Sequence, residues 1–588
     1  MESGQRMQAR AAERPPYFRR PAGQAKGRQV DPASREHVRA LLGDAPLRRD
    51  LLIEHLHRLQ DADGCLSAAT IAALAQEMRL SQVEVFEVAT FYHHFDVIGA
   101  DEAPPPPLTV RVCESLSCAM AGGDALADAL PALLGAGVRV QRVPCVGRCD
   151  AAPVAVVHRY PLGHASAQRV REAVDAGLRD CPLPQAQGLD AYRRAGGYRT
   201  LAAVLEGAEA HETVLRRLDE AGLRGLGGAG FPSARKWRVV AAEPGPRMLV
   251  VNADEGEPGT FKDRWLLETV PHRMIEGMLI AAAVVGCDEC WIYLRDEYAG
   301  VRALLERELT ALRESPPVPG FALPPIHLRR GAGAYICGEE SALIESIEGK
   351  RGMPRLRPPY VAQVGLFGRP TLAHNVETLD RVAAILQEPA AEAASSGVPE
   401  AGDGSAWAAH GRRGRRGLRL FSVSGRVREP GVKCAPAGIS LRELVDEHCG
   451  GMADGHELYA FLPGGASGGI LPASLADDLP LDFETLQPHG SFIGSAAIVV
   501  LSQHDRARDA AVNLMAFFRH ESCGQCTPCR VGTAKAEALM RAPDWDTGLL
   551  DELSEAMVDA SICGLGQAAP NPVRSVMRWF AHELEAKR

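Results

Sequence analysis

Three cysteines stand three residues apart near the C-terminus, in the stretch ESCGQCTPCR. Cys523, Cys526 and Cys529 form a C-x2-C-x2-C run, a spacing typical of a cradle for a [4Fe–4S] cluster. The fourth thiolate of such a cradle usually comes from elsewhere in the chain. Cys563, in ASICGLG, is the predicted fourth ligand, because its flanking glycines let the backbone approach an inorganic core. Zinc is the less favoured alternative.

A second group of four cysteines lies in the first third of the chain. Cys113 and Cys118 form a C-x4-C pair, and Cys145 and Cys149 form a C-x3-C pair after 26 intervening residues. Each pair closes a predicted strand, in TVRVCES and VQRVPCVGRCD. Four thiolates suit either tetrahedral zinc or a [2Fe–2S] cluster. The x4 spacing and the wide separation of the pairs favour the two-iron cluster, with zinc and unrelated buried cysteines as alternatives.

Two iron–sulfur sites in one chain indicate electron transfer, because each cluster passes one electron at a time. Another group must therefore supply or collect those electrons. Cys287 and Cys290 form a further C-x2-C pair, but no partner pair follows them. We expect both to be core residues.

A glycine-rich loop, GLRGLGGAGF, lies between the two cysteine groups. Gly225, Gly227 and Gly230 match G-x-G-x-x-G, but a dinucleotide-binding fold places a strand before this loop. A helix-like segment, HETVLRRLDEAG, precedes it here, so the ordinary fingerprint is rejected. The glycines would still bring backbone N–H groups close to a phosphate or a flat ring. Phe231 could stack on such a ring, and Lys236 is one of only seven lysines among 65 basic residues.

Polar residues crowd the end of a buried strand in RMLVVNADEGEPGTFKD. Asn252, Asp254, Glu255 and Glu257 follow its apolar run. Carboxylates at the carboxyl edge of a strand suit sugar hydroxyls or an amide. A divalent metal, an acid–base pair for hydrolysis and a solvated turn are the alternatives.

The segment IHLRRGAGAYICGEESALIESIEGKRG predicts a strand, a glycine-rich turn and a helix. Tyr335 lies in the turn before Gly338, and Glu339 and Glu340 begin the helix, where the dipole favours acids. A phosphate would meet two like charges there. A ligand group near this helix should therefore donate hydrogen bonds, as a ribose hydroxyl, a nicotinamide carboxamide or an isoalloxazine edge does.

Length and composition restrict the remaining possibilities. A chain of 588 residues is too long for one core, so several domains are expected. The net charge of −9 argues against a nucleic-acid partner. The apolar run 278–286 is too short to span a membrane. Fifteen cysteines, mostly in two groups, indicate a reducing compartment, and we expect a cytoplasmic location.

Hydrophobic periodicity locates the elements that position these motifs. A helical pattern covers about 33–98, with Ser67 and Ser81 as predicted N-caps. Strands and helices then alternate to about 183. A larger α/β region follows a helix-rich linker, strands begin again at 418, and helices dominate after 505.

The chain resembles the NADH-oxidising flavoprotein subunit of respiratory complex I in RGLGGAGFPSARKW, NADEGEPGTFKDR, GAGAYICGEESALIESIEGKRG, HNVETL and ESCGQCTPC with CGLG. Residues 33–183 resemble the 24-kDa-type partner subunit of that flavoprotein, fused here to it. The stretches VSGRVREPGVKCAPAGISLRELVDEHCGG and LPGGASGGILPAS resemble most the β subunit of NAD-dependent, molybdenum- or tungsten-containing formate dehydrogenases.

This resemblance implies a multidomain α/β fold with a specific division. Its units are a helical bundle (33–102), a thioredoxin-like [2Fe–2S] ferredoxin domain (103–183), a Rossmann-like α/β domain for FMN and NAD (184–415), an SLBB-like β-grasp domain with no catalytic role (416–504) and a C-terminal helical [4Fe–4S] bundle (505–588). Residues 1–32 lie before the resemblance; they are rich in Arg, Ala, Pro and Gly and lack periodicity, which predicts a flexible N-terminal arm.

The resemblance also assigns residues to each cofactor. FMN would be held by Gly225, Gly227, Gly228, Gly230, Lys236, Asn252, Asp254, Glu255, Tyr335, Gly338, Glu339 and Asn375. NAD would meet Phe231, Glu257 and Glu340, and Arg357 could contact its pyrophosphate through the guanidinium. The chain departs from complex I at Val239 (usually aromatic), Arg357 (usually lysine), Tyr360 (usually phenylalanine) and His374 (usually asparagine).

The implied activity is the exchange of a hydride between FMN and NAD(H) and of single electrons between FMN and the clusters. No side chain would act as a nucleophile or base; Glu257 and Glu340 would position the reactants. The implied partner is a catalytic α subunit with a molybdenum or tungsten pterin site and further clusters, in a hetero-oligomer.

Three alternatives remain for the function. NAD-reducing hydrogenase and complex I itself would keep the flavin and change the partner. The fused hydrogenase version often lacks a complete N-terminal cysteine set, so the four cysteines favour formate. A zinc-stabilised scaffold without turnover belongs to a different class.

Overall fold

The computed structural model describes residues 28–99, 101–387 and 407–584. Most of the predicted flexible arm lies outside these residues. The first helix begins at Pro32, and the Asp31 carboxylate caps it by accepting the Ser34 N–H at 2.8 Å.

Helices form the first unit, as the periodicity predicts. They are α1 (Pro32–Leu42), α2 (Leu52–Asp63), α3 (Ala68–Met78) and α4 (Gln82–Phe91), beside a two-residue parallel pair, β1 (Leu66–Ser67) and β2 (Val97–Ile98). Both predicted N-caps are confirmed. Ser67 accepts the Thr70 N–H, and Ser81 forms a reciprocal capping box with Glu84.

A four-stranded sheet carries the N-terminal cysteines. It comprises β3 (Leu108–Cys113), β4 (Val138–Val143), β5 (Ala155–Val157) and β6 (Tyr160–Leu162), in the order β4-β3-β5-β6, with α5 (Leu116–Met120), α6 (Gly123–Leu134) and α7 (Ala167–Asp175). Strands β3 and β4 are parallel, with Cys113 opposite Val143. Both cysteine loops therefore leave the sheet at the same edge.

The central sheet is wholly parallel, in the order β10-β7-β8-β9. Its strands are β7 (Arg247–Ala253), β8 (Cys287–Leu294), β9 (Ile326–Arg330) and β10 (Thr371–Asn375). Its helices are α8 (Leu189–Arg194), α9 (Arg199–Leu205), α10 (His211–Ala221), α11 (Ser233–Ala241), α12 (Lys262–Thr269), α13 (Pro271–Val285), α14 (Ala299–Glu314), α15 (Glu340–Ile347) and α16 (Val376–Leu386). The carboxyl ends of such strands share one edge, the usual place for a ligand.

Two local predictions for this region are confirmed. Helix α10, and not a strand, precedes the glycine-rich loop. Cys287 and Cys290 are buried on β8, as expected of core residues.

The last third of the described chain has a mixed sheet and a helical end. The sheet has the order β12-β11-β15-β13-β14 and comprises β11 (Leu418–Gly425), β12 (Gly431–Pro436), β13 (Leu458–Leu462), β14 (Leu471–Pro472) and β15 (Ala497–Ser502), with α17 (Leu441–His448). The helices that follow are α18 (Ala507–Glu521), α19 (Thr527–Met540), α20 (Thr547–Ala560), α21 (Gly564–Ala568) and α22 (Asn571–Trp579).

Apolar cores extend across the expected domain boundaries. One core joins Ile292 of β8 to Phe421 of β11. Another joins Leu56 of α2 to Phe518 of α18. The units are therefore packed together over apolar surface, which fixes the sites between them. Among the described residues, no helix has both the length and the apolar character needed to cross a membrane.

Candidate functional site

A cavity of about 540 Å³ lies at the carboxyl edge of the central sheet. This volume is within the range of about 300–1,000 Å³ that is common for small-molecule sites. Ten of the residues assigned to FMN or NAD line it: Gly227, Gly228, Asn252, Asp254, Glu255, Glu257, Tyr335, Gly338, Glu339 and Asn375. Gly225, Gly230, Phe231, Lys236, Glu340 and Arg357 are not part of its lining.

Two asparagines anchor the floor of the cavity. Asn252 and Asn375 are paired neighbours at the ends of β7 and β10. The Asn252 amide donates to the Gly338 carbonyl at 2.8 Å and accepts the Asp254 N–H at 3.1 Å. These bonds tie the strand end to the turn that contains Tyr335.

Asp254 lines the cavity and has one carboxylate oxygen, Oδ2, without a hydrogen-bond partner among the described residues. This oxygen is buried. Burial raises the pKa of Asp254 well above its usual range. A buried, unpaired oxygen is costly unless a ligand donates to it. The N–H and hydroxyl groups of FMN would fit this position.

The glycine-rich loop comes close to the cavity floor. A Cβ on Gly227 would lie only 2.9 Å from the Asn375 Cβ. Gly228 has φ +144°, a conformation that other residues rarely adopt. The loop backbone is therefore exposed to the cavity without side chains, which suits the approach of a flat ring or a phosphate.

The sequence reasoning missed Lys262, which also lines the cavity. Its ammonium lies 2.8 Å from an Asp263 oxygen and 3.1 Å from a Glu377 oxygen, and its side chain is 1% exposed. Burial disfavours the charge, but the two carboxylates outweigh burial and raise the pKa of Lys262. The rarity of lysine in this chain was the available signal.

Two predicted FMN ligands use their carboxylates at helix ends. Glu255 accepts the N–H groups of Asp263 and Arg264 at 2.8 and 3.0 Å, at the start of α12. Burial raises the pKa of Glu255 to about 7. Glu339 accepts two N–H groups at 3.0 Å and caps α15. Both acids thus position backbone around the cavity.

The strand-rich unit 416–504 closes one side of the cavity, a contribution that the sequence did not predict. Ser467 donates its N–H to Glu257 at 2.7 Å, and the Tyr335 hydroxyl donates to the other Glu257 oxygen. Burial raises the pKa of Glu257 although both donors favour the carboxylate. Further lining from this unit comes from Gly464, Phe483, Gln487, Phe492, Ile493, Gly494 and Ser495.

The predicted residues outside the cavity lining include a chain of charges. The Lys236 ammonium lies 3.1 Å from Glu340, and Arg357 pairs with both Glu340 and Glu339, a cavity-lining residue. Burial opposes the charge of Glu340, but Lys236 and Arg357 outweigh it and lower its pKa. Phe231 is 45% exposed and its ring lies under Arg235.

The departures from complex I have different environments. His374 is buried and accepts a hydrogen bond from Trp237 Nε1 at 2.7 Å. Burial, with a smaller contribution from Lys236, holds its pKa well below the usual range. Val239 and Tyr360 are exposed, so their substitution leaves the packing of the core unchanged.

The structure brings the four N-terminal cysteines together. All are at most 3% exposed, and the Cys145 and Cys149 sulfurs lie 3.3 Å apart. Cys113 and Cys118 pack against the same edge of the sheet. The thiols of Cys113 and Cys149 both lower the pKa of Cys145. Four converging sulfurs, one favoured as a thiolate, fit a metal cluster.

The four C-terminal cysteines also converge. Cys523, Cys526, Cys529 and Cys563 line one small cavity with Leu565. Leu565 and its neighbour Gly564 also line the large cavity. The two cavities therefore share the first turn of α21, which follows Cys563, and the predicted fourth ligand lies beside the first three.

Three families match successive parts of the chain. Residues 38–177 match a thioredoxin-like [2Fe–2S] ferredoxin, residues 218–384 the Nuo51 FMN-binding domain, and residues 509–587 the NADH-ubiquinone oxidoreductase-F iron–sulfur binding region. These families bind FMN, a [2Fe–2S] cluster and a [4Fe–4S] cluster and use NAD as substrate. The multidomain α/β architecture agrees with them.

Relatives match most of the chain. An NADH-quinone oxidoreductase subunit of Rhizobium meliloti is 39% identical over 423 residues, which is 70% of this chain and 96% of that protein. The mitochondrial NADH-ubiquinone oxidoreductase 51 kDa subunit of Neurospora crassa is 38% identical over 66% of this chain and 79% of its own length.

A solved structure matches almost the whole length. A chain of an NAD⁺-reducing [NiFe]-hydrogenase in the H₂-reduced state is 33% identical, with a TM-score of 0.76, over 92% of this chain and 93% of that one. With the cavity, the two cysteine sets and these relatives together, the chain belongs to the family of complex I 51 kDa-type flavoproteins and carries a fused thioredoxin-like [2Fe–2S] domain.

Proposed function

We propose that the chain is the NAD(H)-reacting electron-transfer component of a larger enzyme, with FMN in the large cavity. One observation carries this proposal: Gly564 and Leu565, in the first turn of α21, form part of the wall of that cavity and also adjoin the four C-terminal cysteines. A two-electron carrier in the cavity would lie next to a one-electron acceptor. Electron transfer of this kind requires that donor and acceptor lie close together and that water is excluded; it requires no nucleophile.

The inner wall would bind FMN. Asp254 Oδ2 would accept a hydrogen bond from the flavin, because nothing else among the described residues satisfies it. The bare backbone at Gly227 and Gly228 would lie against the ring or the phosphate. Asn252 ties the end of β7 to the Gly338 turn, and Lys262 links α12 to Glu377 of α16. When bound, FMN supplies a ring that accepts a hydride and can release single electrons.

The outer side would receive NAD. Glu257 is fixed by Tyr335 and Ser467, and Glu340 is fixed by Lys236 and Arg357, so both carboxylates are oriented before a substrate arrives. Oriented acceptors would hold the carboxamide or ribose of the nucleotide. Phe231 offers an exposed ring beside Arg235 for stacking.

We propose formate as the electron source, oxidised by a partner subunit with a molybdenum or tungsten pterin site. The support is the resemblance of residues 423–451 and 462–474 to formate-linked flavoprotein subunits. Hydrogen is the second candidate, because the NAD⁺-reducing hydrogenase chain matches 92% of this chain, including the fused N-terminal part.

Purification with the native partner separates these candidates. The complex is assayed for NAD⁺ reduction with formate, with hydrogen and with neither. Formate-dependent NADH formation that stops without the partner supports the proposal. NADH formation that depends on hydrogen and not on formate supports the second candidate. A colourless protein that does not form NADH with either would exclude both.

A further inference from the structure

A cluster of metal-ligating side chains lies outside the sites described above. His93 follows α4, and His520 and Glu521 end α18 just before the C-terminal cysteines. Glu521 Oε1 lies 3.1 Å from His520 Nδ1 and 3.9 Å from His93 Nδ1, and one ligand atom from each residue lies within 4.8 Å of the others. Both imidazoles therefore face the same carboxylate oxygen.

These separations suit a tetrahedral metal. Zinc–nitrogen and zinc–oxygen bonds of about 2.0–2.2 Å place neighbouring ligand atoms about 3.3 Å apart. The observed 3.1 and 3.9 Å bracket that value, and small rotations of two side chains that are about two-fifths exposed would complete the geometry. Two imidazoles and a carboxylate are a common three-residue zinc set, with the fourth position left to water.

The carboxylate is already oriented for this role. Glu521 is 6% exposed, and its second oxygen accepts the Tyr335 N–H at 2.9 Å. This bond fixes the side chain and leaves Oε1 directed at the imidazoles. Outer hydrogen bonds of this type orient metal ligands and strengthen binding. Both imidazoles are about two-fifths exposed and line a second cavity of about 130 Å³, so an ion from solvent can reach them.

A second histidine group, His57, His94 and Asp296, includes ligand atoms that already have other partners. His57 Nε2 is hydrogen-bonded to the Gly331 carbonyl, and Asp296 pairs with both His94 and Arg330. The carboxylate of that group is shared with an arginine. Within the described part of the chain, by contrast, Glu521 forms ion pairs with the two imidazoles of its own group and with no arginine or lysine.

We propose that His93, His520 and Glu521 form a binding site for one Zn²⁺ ion that links the N-terminal helical unit to the C-terminal helices. The link joins residues 427 positions apart, across the apolar core that α2 and α18 share. The site is distinct from both cysteine sets and does not depend on the identity of the electron source. Zinc bound only to the folded state stabilises the contact between the units.

The test uses holoprotein of measured flavin and iron content, freed of loose metal with a chelating resin. Zinc sulfate is titrated by calorimetry at pH 7.5, and the melting temperature is recorded with and without Zn²⁺. We expect one tight equivalent and a higher melting temperature. His93→Ala and His520→Ala should each weaken that equivalent more than ~10-fold, since loss of even an outer-shell partner costs about 10–100-fold.

The matched control is His456→Ala. His456 and His504 form another pair of neighbouring rings, 5.4 Å apart, whose partners are Ser502 and the Gly455 carbonyl rather than a carboxylate. This variant should keep the tight equivalent. Zinc binding that is unchanged in both His93 and His520 variants, or the absence of a tight equivalent in the wild type, would overturn the proposal. Unaltered visible spectra in all variants show that the clusters are not the binding site.

Discussion

The two sets of four cysteines differ in how they are enclosed. The N-terminal sulfurs are at most 3% exposed and lie between two strand ends and a short helix. In the C-terminal set Cys529 is buried, while Cys523, Cys526 and Cys563 are partly exposed, next to the large cavity. Burial and solvent access tune cluster potentials. Under the proposed function, we therefore expect the C-terminal cluster, which adjoins the large cavity, to receive electrons from the flavin before the more enclosed N-terminal cluster does.

The same contrast appears between two lysines near the large cavity. Lys262 is closed in, with a 1% exposed side chain and two carboxylate partners. Lys236 is 25% exposed, and its ammonium donates to Glu340 and to the Ala373 carbonyl. We expect the buried Lys262 to fix the shape of the site, and the partly exposed Lys236 to be able to change its hydrogen-bond partners when a substrate binds. Matched substitutions at buried and at partly exposed positions measure this difference in their contribution to stability and binding.

The largest effect is expected from removing one cysteine of each set. Cys563→Ala should abolish the EPR signal of the [4Fe–4S] cluster and reduce partner-linked NAD⁺ reduction to background, because three thiolates do not complete the cradle. NADH–ferricyanide activity should persist. Cys118→Ala should remove the [2Fe–2S] signal and keep the other. If either variant lost both signals together, the two sets would not be independent.

The second prediction compares the two lysines. Lys262→Met leaves Asp263 buried without its ion-pair partner and leaves Glu377 with only the longer contact to Arg381 at 3.9 Å, a change that costs about 3–5 kcal/mol. Lys236→Met removes a partly exposed pair and should cost less than about 1 kcal/mol. Thermal unfolding of the two holoproteins in one buffer measures the difference. Equal shifts would show that Lys262 is not enclosed in solution.

The third prediction concerns two glycines of one loop. Gly227→Ala would place a methyl group 2.9 Å from the Asn375 Cβ, and overpacking of about 1–3 kcal/mol should weaken FMN binding about 5- to 150-fold. Gly225→Ala meets only ordinary contacts, the nearest at 3.7 Å, and should bind FMN normally. Fluorescence titration of flavin-depleted protein gives both dissociation constants. Equal affinities would place the flavin away from this loop.

The smallest effect is a pH dependence at His374. Its pKa is held well below 6.5 in the folded state, so the unfolded chain binds an extra proton below about pH 6.5. The contribution of the neutral His374 imidazole to the free energy of unfolding is therefore fully present above about pH 6.5 and is lost as the pH falls. The His374→Asn variant has no imidazole to titrate at this position. The free energy of unfolding of the wild type, relative to that of the variant, should therefore fall by about 2 kcal/mol from pH 8 to pH 5. A constant difference would contradict the buried, neutral imidazole.

The sequence predicted features whose chemistry is local. The helix caps at Ser67 and Ser81, the helix before the glycine loop and the convergence of Cys563 with Cys523 all follow from short-range spacing or backbone needs. The polar residues after β7 also lie where a parallel sheet places them.

The remaining features depend on contacts between distant segments. Glu255 caps α12, a role visible only once that helix is in place, whereas the position of Glu339 at the start of α15 agrees with the prediction from the sequence. Ser467 and Phe483 reach the cavity from the unit 416–504, for which the sequence predicted no catalytic role and did not predict contact with the cavity. Spacing along the chain carries no information on such contacts, since they arise from the packing of one unit against another.

Anaerobic addition of NADH to flavin-depleted and FMN-reloaded protein examines the proposed route of the electrons through the large cavity. Freeze-quench EPR follows the [4Fe–4S] signal with time. We expect the cluster to stay oxidised without flavin and to be reduced once FMN is restored. Reduction at the same rate in the depleted protein would contradict the proposed route, because electrons from NADH would then reach the C-terminal cysteines without passing through the cavity.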